Sequence, residues 1–447
     1  MSVNVLKLNR SVVAILAGYA IEKYDMFLYG FFTILMGELF FPPHLTTNNK
    51  SLSIILSLGI FASGYILRPL GGIYFGHLGD KLGRKKALLM SLGLASFFPL
   101  LLSVLPVYNT IGIFAPICLI ICRLLQGFCS GGEFSGASVF LQEQSSENNV
   151  AFLVSLLRSV GFFGVALGTI VAYISTLPTM PHWGWRIPFF VGWVLTIVFY
   201  FIRLKYMLES KVFQKIEKNH KIKRFPLIGL LKNSKDRLAG GIGLTIFAST
   251  SFYMSTIYTG SILKISFNLP NYKIIAINMG IALFSAIIIP FLGLWADKLK
   301  ISNFLTKSIL CNIILIYPLF WLMEKYFYLP NFIIFQIIFG TLCASFYAPF
   351  AGLLPKIFSA EERYSGVAFS ITFVQAILGG LTPFISALLV YMTGDKKAPA
   401  YLLIVGALIA LISMIKLKVI LPYSNLIESI FPTRKFARIL ASIKEFR

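Results

Sequence analysis

The sequence predicts an all-α membrane protein with twelve membrane-spanning helices in two six-helix bundles that resemble each other. Of its 447 residues, 57% are hydrophobic and only 13% are charged, whereas soluble domains carry about 25% charged residues. Apolar stretches of about 20 residues, the length that crosses a bilayer, recur from residue 11 almost to the end. The alternation of apolar and polar residues that characterises membrane β-barrels is not visible.

The positions of these apolar stretches define the spans in order along the chain. The predicted spans are 11–41, 52–75, 87–106, 111–141, 151–175, 187–204, 239–262, 274–295, 308–324, 331–355, 365–392 and 400–420.

The distribution of basic residues predicts the orientation. If the N-terminus is cytoplasmic, most of the 40 Lys and Arg residues fall in the cytoplasmic segments, as the positive-inside rule requires. Both termini are therefore predicted to be cytoplasmic. The net charge of +23 orients the chain and attracts anionic lipid headgroups, and we predict no nucleic-acid partner.

A long polar interval divides the chain into two halves. We predict an N-terminal bundle at 1–204, a basic linker at 205–238, a C-terminal bundle at 239–420 and a basic tail at 421–447. Apolar residues recur in the linker with roughly helical spacing, between lysines. This pattern fits either a helix lying on the membrane surface or a solvated connection.

A charged loop follows the second span and has a counterpart in the second half. The stretch "GHLGDKLGRKK" begins at Gly76, and "GLWADKLK" follows the eighth span from Gly293. Glycines allow a neighbouring helix to approach closely. Asp80 can accept hydrogen bonds from a helix N-terminus or an arginine across a helix interface. We interpret this loop as a conformational latch rather than a simple turn with basic anchors.

Ionised residues inside the spans are the candidates for function. A charge at the bilayer centre costs at least about 2.5 kcal/mol, so such residues usually pair or line a cavity. The first span carries Glu22 and Asp25 on one helix face, with Glu22 about 17 Å deep. Two carboxylates close together favour proton uptake by one of them. The fourth span carries Arg123 and, about 15 Å further along, Glu133.

We hypothesise that Glu22, Asp25, Arg123 and Glu133 form a network that couples proton and substrate. Arg123 could hold a substrate carboxylate, or hold Glu22 or Asp25 ionised. We expect the network to face a wet cleft between the two bundles. The alternative is a buried ion pair that only locks the first span to the fourth. Further candidates for the cavity are Lys23, Tyr24, Tyr29, Gln126, Tyr253 and Tyr258. The tyrosines could face a quaternary ammonium group or simply pack.

The charged loop resembles the loop signature of the major facilitator superfamily of transporters. Several other segments are similar to its metabolite:proton symporter family, which includes the proline/betaine transporters. They are "GYAIEKYDMFLYGFFTILMGELFFP", "RPLGG", "RLLQGFCSGGEFSGASVFLQE", "WGWRIPFF", "ERYSGVAFS", "GGLTP" and "APAY". Their order and spacing together make the resemblance specific.

The resemblance implies the major facilitator fold, with alternating access to a substrate bound between the bundles. It implies import of a small polar metabolite or osmolyte, such as proline or betaine, with a proton across a bacterial inner membrane. It also implies that Asp80 pairs with arginines to hold the outward-open state, with Arg84 in the matching position. The residues assigned to this gate are Arg68, Gly76, Gly79, Asp80, Gly83, Arg84 and Asp297.

One departure from the family leaves the substrate open. Where the family has Asn-Ala-Leu-Glu-Trp-Tyr-Asp-Phe, this chain has "YAIEKYDM" from Tyr19. The alternatives are a dicarboxylate or other organic-acid symporter, an uncoupled facilitator, and a receptor-like relative that has lost transport. We predict a monomer with no cofactor and no metal. An enzyme is excluded because no nucleotide-binding loop, nucleophile–base pair or metal cluster is present.

Overall fold

The computed structural model describes residues 9–42, 63–146, 148–175, 177, 179–224, 226–267, 269 and 271–420. The predicted tail at 421–447 and the first part of the predicted span at 52–75 lie outside these ranges.

Within these ranges the chain is helical and contains no strand. The helices are α1 (Arg10–Phe31), α2 (Thr33–Phe40), α3 (Arg68–Lys81), α4 (Arg84–Ala95), α5 (Phe97–Val104), α6 (Tyr108–Ile111), α7 (Phe114–Gln144), α8 (Val150–Ser175), α9 (Arg186–Tyr206), α10 (Lys211–Lys218), α11 (Pro226–Asn233), α12 (Lys235–Tyr253), α13 (Thr259–Phe267), α14 (Asn271–Lys298), α15 (Ile301–Lys325), α16 (Leu329–Ile357), α17 (Arg363–Val374), α18 (Gly380–Thr393) and α19 (Ala398–Ile420). Short π-helical turns join α12 to α13 (Met254–Tyr258) and α17 to α18 (Gln375–Gly379).

Nine helical stretches among the described residues are long and apolar enough to cross a bilayer. Helix α1 is not one of them, because Glu22, Lys23 and Asp25 lie near its centre. Both acids are only 8% exposed, so they face the protein interior and not lipid. The predicted all-α membrane fold is thus confirmed.

We call α1–α9 the N-terminal bundle and α12–α19 the C-terminal bundle. Within the N-terminal bundle, α1 packs against α7, α8 and α9. A Cβ at Gly164 of α8 would overlap the carbonyl oxygen of Ala20, so the glycine permits the close approach of α8 to α1. The two bundles meet mainly where α8 packs against α14 and where α3 packs against α17.

The linker contains the two short helices α10 and α11. Ser210 begins α10 by accepting a hydrogen bond from the backbone N–H of Phe213 at 3.3 Å. Phe213 and Ile216 are buried against the protein, while the lysines of α10 face outward. The apolar face of α10 therefore covers the ends of other helices, which corrects both predictions for it, a membrane-surface helix and a solvated connection. We call this end of the molecule the linker end.

Candidate functional site

A cavity of about 30 Å³ lies inside the N-terminal bundle, with room for about two water molecules. Glu22, Asp25, Arg123 and Glu133 all line it. The structure thus brings the four predicted residues to one place. All of its described lining residues belong to the N-terminal bundle, so it is not the cleft between the bundles that we expected. The other lining residues are Met26, Gly64, Arg68, Ser91, Leu92, Ala95, Gln126, Gly127, Cys129, Ser130 and Thr196.

The two acids of α1 have different surroundings. Glu22 forms a salt bridge with Lys23 at 2.9 Å and accepts a hydrogen bond from the hydroxyl of Ser130. Asp25 Oδ2 accepts a hydrogen bond from Thr196 Oγ1 at 3.0 Å. Its other oxygen, Oδ1, is buried and has no hydrogen-bond partner among the described residues. Asp25 is therefore the less satisfied carboxylate of the two.

The two charged residues of α7 are also held differently. Arg123 donates to Gln126 Oε1 at 2.7 Å, and its guanidinium lies 4.5 Å from the ring centre of Tyr29. Glu133 forms a salt bridge with Arg203 of α9, whose Nη1 donates to Glu133 Oε2 at 3.0 Å. Salt bridges thus join Glu22 to Lys23, which was predicted as a cavity residue, and Glu133 to Arg203, which was not predicted.

Arg68 lies on the cavity, away from the loop residues with which we had grouped it. Its Nη2 donates to Met26 Sδ at 3.0 Å, and its Nη1 donates to Gln375 Oε1 of the C-terminal bundle at 3.3 Å. The guanidinium also lies 4.0 Å from the ring centre of Tyr65. Arg68 therefore connects the wall of the cavity to the opposite bundle.

The four predicted tyrosines do not form part of the described lining of this cavity. Tyr24 donates to the carbonyl oxygen of Pro188 at 2.9 Å, and Tyr258 is buried in the main hydrophobic core. Tyr29 packs against Arg123. Tyr253 meets Tyr65 across the two bundles, with ring centres 6.1 Å apart.

At the linker end, Asp80 joins the two bundles. It accepts hydrogen bonds from the backbone N–H groups of Tyr364 at 3.1 Å and Ser365 at 2.8 Å, at the start of α17. Arg84 lies 3.3 Å from the same carboxylate. A Cβ at Gly79 would overlap the ring of Tyr364. The glycine and the carboxylate therefore act together to seat the N-terminus of α17 on α3.

Asp297 makes the equivalent connection from the other half. It accepts hydrogen bonds from the backbone N–H groups of Ala151 at 2.9 Å and Phe152 at 2.8 Å, at the start of α8. Each bundle thus supplies one aspartate that binds the N-terminus of a helix in the other bundle. The two copies of the loop sequence have the same structural role.

Two glutamates, Glu143 and Glu209, connect the linker to the helices at the linker end. Glu143 forms salt bridges with Arg84 and with Arg363, both at 3.0 Å, and accepts a hydrogen bond from Ser210. Glu209 accepts hydrogen bonds from the backbone N–H groups of Arg84 at 3.0 Å and Lys85 at 3.1 Å. Burial raises the pKa of Glu209 above its ordinary value. The linker is therefore bound to both the N-terminal bundle and the junction.

Other functional residues were missed because they are unremarkable in the sequence. Arg203 and Arg363 lie where basic membrane anchors are expected. Gly76 and Gly83 were assigned to the gate, but the sequence did not indicate which residues they contact. A Cβ at Gly76 would lie 2.9 Å from Ser365 Cα, and Gly83 has φ +106°. Glu143 carried a usable signal, since the segment 142–150 between two predicted spans contains two acids and no Lys or Arg.

The proteins that this chain resembles carry the names of membrane transporters. A family model described as "Sugar (and other) transporter" matches residues 11–224. The proline/betaine transporter of Salmonella typhimurium is 32% identical over 92% of this chain and 84% of its own length. The citrate-proton symporter of Salmonella typhi is 28% identical over 90% of this chain and 92% of its own length. Among solved structures, the proton:xylose symporter XylE superposes with a TM-score of 0.74 at 14% identity, covering 92% of this chain and 95% of its own.

Proposed function

Because the chain belongs to the metabolite:proton symporter family of the major facilitator superfamily, we propose that it imports a small polar metabolite together with a proton. Proline and betaine are the first candidates, since relatives that carry those names are 32% identical to it. Transport proceeds by alternating access, in which the two bundles rock about the substrate. The membrane is the bacterial inner membrane, with both termini in the cytoplasm.

The observation that carries the proposal is the environment of Asp25. Its carboxylate lies in the membrane interior beside a small polar cavity, and one oxygen is buried without a hydrogen-bond partner among the described residues. A buried charge that lacks full pairing is costly. A proton on Oδ1 removes that cost. Asp25 is therefore the residue to which we assign proton binding.

The remaining network residues support this step. Glu22 lies one helical turn from Asp25 and is paired with Lys23, so its charge is partly compensated. Arg123 cannot lose its proton under physiological conditions and keeps a fixed positive charge on the same cavity. Loss or gain of the Asp25 proton changes the balance of these charges. That change is the link we propose between protonation and movement of the bundles.

The linker end is the gate of this transporter. We assign residues 1–204 and 239–420 to the two bundles, and the linker at 205–238 and the tail at 421–447 to the cytoplasm. Asp80 and Asp297 then close the cytoplasmic end by binding helix N-termini of the opposite bundle. Opening toward the cytoplasm requires both carboxylates to release those N–H groups.

Uptake into proteoliposomes tests the proposal. Labelled proline, betaine and citrate are supplied with and without an inward proton gradient. We expect accumulation only with the gradient. Asp25→Asn and Glu22→Gln should abolish accumulation but leave counterflow of internal and external solute intact. Glu217→Gln, an exposed acid on α10, is the matched control and should behave as the parent protein.

Three outcomes contradict the proposal in different ways. Equal uptake with and without the gradient identifies an uncoupled facilitator. Normal gradient-driven accumulation by Asp25→Asn removes Asp25 from proton coupling. A protein that binds solute but transports none corresponds to the receptor-like alternative.

A further inference from the structure

Arg158 of α8 is a membrane-embedded cation that the proton network does not use. It lies about 12 Å along α8 from the start of that helix at the linker end, and it is half-buried. Its Nε is buried and has no hydrogen-bond partner, and the described residues place no carboxylate within salt-bridge distance of it. A charged group in this position usually serves a ligand or a pathway.

Aromatic rings from both bundles surround the guanidinium. Its central carbon lies 4.0 Å from the ring centre of Phe134, 5.4 Å from that of Phe252 and 5.9 Å from that of Tyr347. Phe134 belongs to the N-terminal bundle, and the other two rings belong to the C-terminal bundle. The rings hold the cation by its faces and leave the edge of the guanidinium, which carries the N–H groups, for another partner.

Arg158 lies at the interface between the two bundles. The adjacent Ser159 donates a hydrogen bond to the carbonyl oxygen of Ala286 in α14 at 2.5 Å. One turn further along α8, a Cβ at Gly161 would lie 3.4 Å from the side chain of Lys23. A second cation therefore lies next to Arg158 along the same face. Lys23 already pairs with Glu22, so of these two cations Arg158 is the one without a salt bridge to an acid among the described residues.

We propose that Arg158 binds the carboxylate of the transported solute at the junction of the two bundles. The planar guanidinium can donate two parallel hydrogen bonds to a carboxylate, and the three rings fix its orientation beforehand. The solute class is therefore one that carries at least one carboxylate. Because the site is formed by both bundles, a bound carboxylate is sensitive to their separation, as a substrate of an alternating-access transporter must be. The inference rests on the proposed transport of a small polar solute.

Equilibrium binding in detergent tests this inference without a proton gradient. Thermal unfolding of the purified protein is measured with glycine betaine, proline and citrate, and with choline, prolinamide and trimethyl citrate, which lack the carboxylate. A ligand that binds the folded state raises the melting temperature. We expect at least one carboxylate solute to raise it and the matched analogue of that solute to have no effect.

Variants then assign the effect to Arg158. Arg158→Met should weaken binding of the stabilising solute by roughly 10- to 100-fold, the worth of hydrogen bonds to a charged group. Arg158→Lys keeps a cation between the rings but loses the planar guanidinium that donates two parallel hydrogen bonds, and it should weaken binding by a smaller factor. Lys218→Met, an exposed cation on α10, is the control and should bind as the parent does. Since Arg158→Lys keeps the charge, it also tests the idea if Arg158→Met does not fold.

The inference is overturned if no carboxylate solute stabilises the protein, if analogues stabilise it equally, or if both Arg158 variants bind with unchanged affinity. None of these results depends on proton coupling. Conversely, if uptake is equal with and without the proton gradient, the proposed proton coupling is wrong. That result does not contradict carboxylate binding by Arg158. The two proposals can therefore fail separately.

Discussion

Substitution of Asp80 by asparagine tests the latch at the linker end. The carboxylate accepts two backbone hydrogen bonds from the start of α17, at 3.1 and 2.8 Å, and its side chain is fully buried. Asparagine keeps one acceptor oxygen, so one buried N–H group loses its partner, at a cost of roughly 1–3 kcal/mol. Loss of the negative charge at a helix N-terminus adds about 0.3–1 kcal/mol.

Together these two effects destabilise the closed linker end by about 2 kcal/mol. This corresponds to an approximately 30-fold decrease in the ratio of closed to open molecules. The penalty applies only to the closed state, because in an open state Asp80 exchanges hydrogen bonds with water. Asp80→Asn should therefore favour separation of the two bundles at this end.

Distances between spin labels provide the assay. The labels are attached at Lys86 and Lys300, which are exposed positions on opposite bundles, in a protein whose five cysteines have been replaced. The Asp80→Asn protein should show a larger population at the longer distance than the parent, and Glu217→Gln should not. An Asp80→Asn distribution that matches the parent would refute the view that this carboxylate holds the end closed.

Three further predictions concern stability, measured as thermal unfolding in detergent. Arg203→Met leaves Glu133 buried without its cation and should destabilise the protein by about 3–5 kcal/mol. If the unpaired carboxylate is the cause, adding Glu133→Gln to that variant should restore much of the lost stability. Gly164→Ala places a methyl group against the backbone of α1 and should lower the melting temperature, whereas Gly340→Ala, in open space, should keep or raise it. The pKa of Glu209 in the folded protein lies above its ordinary value of 4.5, so the folded protein keeps this proton to a higher pH than the unfolded chain does. As the pH rises above about 4.5, Glu209 therefore lowers the free energy of unfolding. Glu209→Gln should lose less stability than the parent between pH 4.5 and 7, and identical losses would contradict this account.

Residues that belong to one helix were predicted well. Hydropathy identified the membrane-spanning class, and the three-residue spacing of Glu22 and Asp25 placed both acids on one face, where both line the cavity. The shared pattern around Asp80 and Asp297 indicated a duplicated element, and both aspartates bind a helix N-terminus. These inferences succeeded because helical periodicity and the cost of burying charge act over a few residues.

Partners on different helices could not be predicted in the same way. The sequence suggested that Arg123 holds an acid of the first span, but Glu22 pairs with Lys23 on its own helix. Glu133 of α7 pairs with Arg203 of α9, a partner that the sequence did not indicate. Arg203 is 70 residues from Glu133, and Ser365 is 285 residues from Asp80. Arg68 likewise was assigned to the gate, yet its side chain lies on the cavity.

Composition and periodicity thus established a polytopic helical membrane protein, its family resemblance and the charged residues that its interior must accommodate. The packed structure alone established which charges meet, that the acids share a pocket within one bundle, and that Arg158 lies among rings from both bundles. The reason is physical: the composition of a segment fixes its depth in the bilayer and the face its polar groups share. The rotation of one helix against another depends on packing across the whole bundle, and that rotation decides which side chains come within bonding distance.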